Sequence, residues 1–110
     1  MIFRVRTYTG ISETEPVFTE FFETRLLPVQ LRHGAKLICR LKNDDKIIAI
    51  WSYANMDEYK RIQGLVRNDP DCTAAQEYRK TLPKLFETTE ETFMTSTISG
   101  ITSGWSRSTS

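Results

Sequence analysis

The chain is short of the residues that most catalytic and metal sites require. It holds one histidine, His33, and two cysteines, Cys39 and Cys72, whose spacing fits no metal motif. An ordinary zinc or facial-triad site cannot be assembled from that set within one chain. There is no glycine-rich phosphate loop. Net charge is scarce too, at +1, and the lysines and arginines form no stripe interleaved with exposed aromatics. Neither nucleic acid nor anionic lipid is therefore implied as a partner. No apolar run approaches the roughly 18 residues that a membrane-spanning helix needs. The expectation is a protein without cofactor, metal, nucleic acid or membrane.

What is present is ordinary for a soluble globular protein: 110 residues, 39% hydrophobic and 26% charged. That length supports one core and hence one domain. The N-terminus has no apolar h-region and is not a signal peptide. With two unmatched cysteines, free thiols and a cytoplasmic location are expected.

The opening, Ile2 to Tyr8, is the most informative stretch. Its side chains alternate between two faces, the signature of a strand. Phe3, Val5 and Thr7 suit a core, while Ile2, Arg4, Arg6 and Tyr8 put two guanidinium groups beside a phenol. Neither is an ordinary wet face, so both sides are expected to be covered.

Further along, Ser12 and Thr14 are candidate helix caps, and Pro16 fits a first turn. Val17, Phe18, Phe21, Phe22, Leu26 and Val29 recur at helical spacing, with a kink expected at Pro28 and a stop at Gly34. Lys36 to Leu41 sets Leu37, Cys39 and Leu41 against Lys36, Ile38 and Arg40, and a polar turn leads into the strand Lys46 to Tyr53. Its run Ile47-Ile48-Ala49-Ile50-Trp51 is apolar on both faces, as in a strand covered twice. Asn55 with Glu58 forms a capping-box pattern ahead of Tyr59, Ile62, Leu65 and Val66. Asp69-Pro70 restarts the helix towards Pro83, and a weaker strand is expected over Thr92 to Ile98. Ser99 to Ser110 reads as a flexible tail, although Trp105 suits docking on the body or on a partner.

The order β-α-β-β-α-β predicts an α+β, ferredoxin-like fold in which helices cover one face of a four-stranded antiparallel sheet. The other face needs cover. A second copy of the chain would supply it and pair two sheets into a dimeric α+β barrel.

Several pieces in order resemble the NIPSNAP family, within the dimeric α+β barrel group that includes the antibiotic-biosynthesis monooxygenases. They are Arg6-Thr7-Tyr8, Leu26-Leu27-Pro28 leading to Arg32-His33-Gly34, Trp51-Ser52-Tyr53 leading into Met56-Asp57-Glu58, and Asn68-Asp69-Pro70. The resemblance covers residues 1–98 and implies the fold and a homodimer, but little chemistry. Cys72, where similar proteins carry an aromatic residue, and the serine-rich tail depart from it. The haem-degrading relatives use an asparagine, a tryptophan and a histidine; no histidine follows Trp51, so that reaction is not expected.

Five residues are candidates for a ligand site. Arg6 and Tyr8 lie two apart on one strand face, about 6.6 Å, close enough to act on one ligand. Trp51 and Tyr53 offer an aromatic wall, and His33 a proton-transfer group, with packing and helix capping as their structural alternatives. Arg4 is assigned to a carboxylate pair across the dimer. The site is expected on the sheet face opposite the helices, between two sheet layers. Three function classes follow. They are a dimeric binding protein for a small, partly apolar molecule, a cofactor-independent monooxygenase or isomerase, and a structural module with a solid interior.

Overall fold

Which face of β1 is buried is decided by its neighbours in the sheet. In a computed structural model, which describes residues 1–98, β1 (Ile2–Thr9) pairs antiparallel with β3 (Lys46–Tyr53) on one side and β4 (Thr88–Thr95) on the other. With β2 (Lys36–Lys42) the strand order is β2-β3-β1-β4, a ferredoxin-like arrangement. Ile47, Ala49, Trp51 and Tyr53 alternate along β3 and are all buried against the helices. Each large apolar side chain so covered stabilises the fold by about 1.5–3 kcal/mol. The register places Tyr8 opposite Ile47, Arg6 opposite Ala49 and Arg4 opposite Trp51.

The arginine-bearing face of β1 therefore points at the helices. This reverses the expected assignment of Phe3, Val5 and Thr7 to the helix-covered core. Those residues pair with Ser52, Ile50 and Ile48 on the open face, where Leu41 and Met94 also lie, 59% and 55% exposed. An apolar run on both faces of β3 is compatible with either orientation, so the pattern left the choice open.

The helices are α1 (Glu15–Phe21), α2 (Leu27–Arg32), α3 (Met56–Arg67) and α4 (Pro70–Arg79). Between α1 and α2 the chain makes one wider π-helical turn, Phe22–Leu26, closed by a bond from the Leu27 N–H to the Phe22 carbonyl. Pro28 has no N–H to give the preceding turn, so the expected kink takes the form of this widened turn. Gly34, at φ +101°, ends the segment in a conformation that favours glycine. Asn55 accepts a bond from the Glu58 N–H, whereas the Glu58 side chain bonds Arg61 instead of closing the capping box. Asp69 caps α4 as expected, with Pro70 in the first turn. Thr14 does not cap α1; its hydroxyl donates to the Leu85 carbonyl at 2.6 Å.

Two strands differ from expectation. A bulge between Leu37 and Cys39 flips the rest of β2, putting Arg40 on the helix side and Cys39 and Leu41 on the open side. β4 begins at Thr88 rather than Thr92, because the β-branched threonines pair with β1 down to Thr9, and Ile98 lies beyond its end. The proposed tail from residue 99, Trp105 included, lies outside the described residues.

Candidate functional site

The helices do not fill the space over the arginine face. A partly enclosed cavity of about 280 Å³ lies between sheet and helices. Its floor carries Arg4, Arg6, Tyr8 and Trp51; Phe18, Phe21, Phe22, Leu26 and Val29 close one side. Gln63, Val66 and Arg67 from α3 and Cys72, Gln76 and Arg79 from α4 close the other. The cavity is built within one chain, on the helix side. The expected site between two sheet layers is corrected accordingly: Arg6 and Tyr8 do share a face, but the helix-covered one.

Its electrostatics are one-sided. Arg4, Arg6, Arg25, Arg67 and Arg79 line it, and among the described residues no carboxylate does. Arg4 is buried and ion-paired with Glu91 of its own chain, on the adjacent strand, rather than across a dimer as expected. Burial disfavours its charge, but the hydrogen bond from Arg4 to Glu91 and the nearby Tyr59 outweigh that, and its pKa is raised. Arg6 differs: its Nε–H is buried and has no acceptor among the described residues, an arrangement that costs roughly 1–3 kcal/mol or more for a charged group. Its guanidinium carbon lies 5.3 Å from the centre of the Tyr8 ring. Arg25 and Arg79 stack similarly over Tyr78 and Phe86, at 4.2 and 5.2 Å.

The remaining polar lining is neutral. Gln30 and Gln63 exchange amide hydrogen bonds at 3.3 and 2.9 Å, and Gln63 also donates to the Tyr53 hydroxyl at 3.4 Å. Arg40, on the far side of Phe22, belongs to a separate hollow that also holds Glu15 and Glu23. Burial lowers its pKa, and it lies over the Phe18 and Phe22 rings at 5.0 and 4.6 Å.

Three of the five sequence candidates, Arg6, Tyr8 and Trp51, meet in the cavity lining. Tyr53 packs edge-on against Tyr59 behind it, and burial raises its phenol pKa. His33 is at the end of α2, where its Nε2 donates to the Asp69 carboxylate at 2.7 Å, so it ties α2 to the start of α4. Sequence reasoning missed Gln63 and Arg67, four apart on α3, and Cys72, Gln76 and Arg79 on one stripe of α4. Their helical spacing was the available signal, but polar residues at such spacing ordinarily read as a solvated face. Both cysteines are free. Among the described residues, no group of three or more His, Cys, Asp and Glu is placed to hold a metal ion, and no helix is long and apolar enough to cross a membrane.

At the level of sequence alone, no family model and no curated protein matches. Solved structures do. An uncharacterized NIPSNAP domain protein from Burkholderia xenovorans superposes with a TM-score of 0.77 at 17% identity, over 93% of this chain and 99% of that one. A variant of SnoaB, a cofactor-independent oxygenase from Streptomyces nogalater, gives 0.51 at 16% identity, over 90% and 95%. A dimeric ferredoxin-like protein from an uncultured marine organism gives 0.59 at 12% identity, over 93% and 100%. The chain thus has the fold of NIPSNAP domain proteins.

Proposed function

We propose that this is a homodimeric binding protein that takes a small, partly apolar molecule into the cavity between sheet and helices of each protomer. The observation that carries the reading is the cavity itself: about 280 Å³, walled by aromatic rings and provided with a few inward polar groups. Ligand sites have that composition, and the volume lies just below their usual range of roughly 300–1,000 Å³. Dimerisation uses the open sheet face of Phe3, Val5, Ile48, Ile50, Leu41 and Met94, in keeping with the dimeric ferredoxin-like neighbour. Covering a few hundred square ångströms there contributes several kcal/mol at about 25 cal/mol per Å².

The test is a nuclear magnetic resonance screen of one- and two-ring aromatic compounds. Saturable shifts are expected at the amides of Arg6, Tyr8, Trp51, Gln63 and Cys72. Shifts confined to outer surfaces, or none at all, would remove the binding reading.

A second reading is a cofactor-independent monooxygenase, supported by the Tyr8 phenol beside Arg6 in the cavity and by the fold likeness to the oxygenase. Tyr8 or Arg6 would handle the proton; His33 does not line the cavity. Oxygen consumption with electron-rich phenols or quinols, lost in Tyr8→Phe, would favour it. No consumption across the series would leave the binding reading.

A further inference from the structure

We propose that the ligand is an organic anion, with one carboxylate held by the Arg6 guanidinium and a one- or two-ring aromatic body against Trp51 and Phe22. This rests on the cavity being a ligand site and adds the ligand's charge and shape.

Four lining arginines, Arg6, Arg25, Arg67 and Arg79, make no ion pair among the described residues. Arg25 and Arg67 are exposed, so water solvates and screens them, and Arg79, half-buried at the cavity wall, lies over the Phe86 ring at 5.2 Å. Arg6 is half-buried on the cavity floor, with an Nε–H that nothing among the described residues accepts. Its Nε is enclosed by protein, so the terminal nitrogens of this half-buried, unpaired cation are the donors that an anionic ligand in the cavity would complete. The planar fork of a guanidinium matches the two oxygens of a carboxylate, and such bidentate pairs are strong and directional.

One carboxylate suffices. Arg4, two residues along the same face, is already bonded to Glu91, so Arg6 is the sheet-floor arginine left for an anion. The body follows from the walls. Trp51 and Phe22 lie 6.0 Å apart, edge to face, and Tyr8 and Phe18 form a similar pair at 5.0 Å. A flat ring finds stacking partners among them, and the small volume excludes a long or branched chain.

The experiment compares 2-naphthoate with 2-naphthamide, which share ring and size and differ in charge, by calorimetric titration. Naphthoate is expected to bind at least tenfold more tightly to the wild type. Arg6→Gln should bring the two affinities within about twofold. Equal binding in the wild type overturns the anion assignment but not the cavity; binding of neither removes both. Should Arg6→Gln not fold, the terminal guanidinium N–H resonances of Arg6 in the wild type decide. A downfield shift with naphthoate and none with naphthamide supports the assignment. No shift with a bound naphthoate overturns it.

Discussion

Arg6 and Glu91 stand directly opposite one another in the β1–β4 pairing, yet the Glu91 carboxylate bonds Arg4, one step diagonally along the sheet. Two arginines on one strand face thereby have different roles. Arg4 is closed into an ion pair beneath Tyr59, whose ring centre is 5.2 Å from its guanidinium carbon. Arg6 lines the cavity without an ion pair among the described residues.

Glu91→Gln is expected to destabilise the fold, because it leaves the buried Arg4 charge without its counter-charge. The Arg4 side chain is 10% exposed and that of Glu91 36%. The loss should be about 2 kcal/mol, below the roughly 3–5 kcal/mol of a wholly buried pair. A urea midpoint unchanged from wild type would show that Arg4 is satisfied without Glu91.

Cys72 lines the cavity from α4, so Cys72→Phe should fill part of it. Naphthoate affinity is expected to fall at least tenfold, while the melting temperature stays within a few degrees because the ring enters existing space. Unchanged affinity in a folded variant would place the ligand away from α4.

Ile50 sits at the centre of the open sheet face, paired with Val5 and Cys39. Ile50→Glu should convert a dimer into a folded monomer, read by light scattering alongside circular dichroism. A wild type that is monomeric at micromolar concentration would end the barrel reading.

Acid should weaken the junction of α2 and α4. The Asp69 carboxyl is held below its ordinary pKa by the bond from the Asp71 N–H, then by His33, with Arg32 adding to it. A carboxyl depressed in the folded state contributes stability above its unfolded pKa and loses it as pH falls through the folded one. Thermal melts should therefore drop below about pH 4. Asp69→Asn, which keeps a capping oxygen, should be less stable than wild type at pH 7 and should converge with it in acid. A gap independent of pH would show that the charge is not involved.

Local features were legible in the sequence because their causes are local. Asn55 and Asp69 cap helices through side chains two or three residues from their partners. Gly34 ends α2 through its own φ. Alternation over Ile2–Tyr8 marks a strand whatever surrounds it. The order of these elements then restricts the sheet to few topologies, so the fold could be read before any contact was known.

The cavity was legible only in part. Arg6, Tyr8 and Trp51 stood out because polar and aromatic groups on a strand face ask for partners. Their companions on α3 and α4 did not, since a glutamine or arginine at helical spacing is indistinguishable from a solvated one until the helix is docked.

Alternation determined that Arg4, Arg6 and Tyr8 share a face; only tertiary packing decided which way that face points. A strand's period of two separates its side chains into two sets without naming the buried one, and β3 is apolar on both. Docking of Phe18, Phe22, Ile62 and Val66 over Trp51 and Ile47 resolved the choice, and the register carried β1 with it. Likewise, residue types at the sheet edge suggested a strand over Lys36–Leu41, but the bulge that turns Arg40 inward arises from fitting that edge to β3. Side-chain periodicity is a property of the chain; the choice of face depends on which apolar surfaces meet.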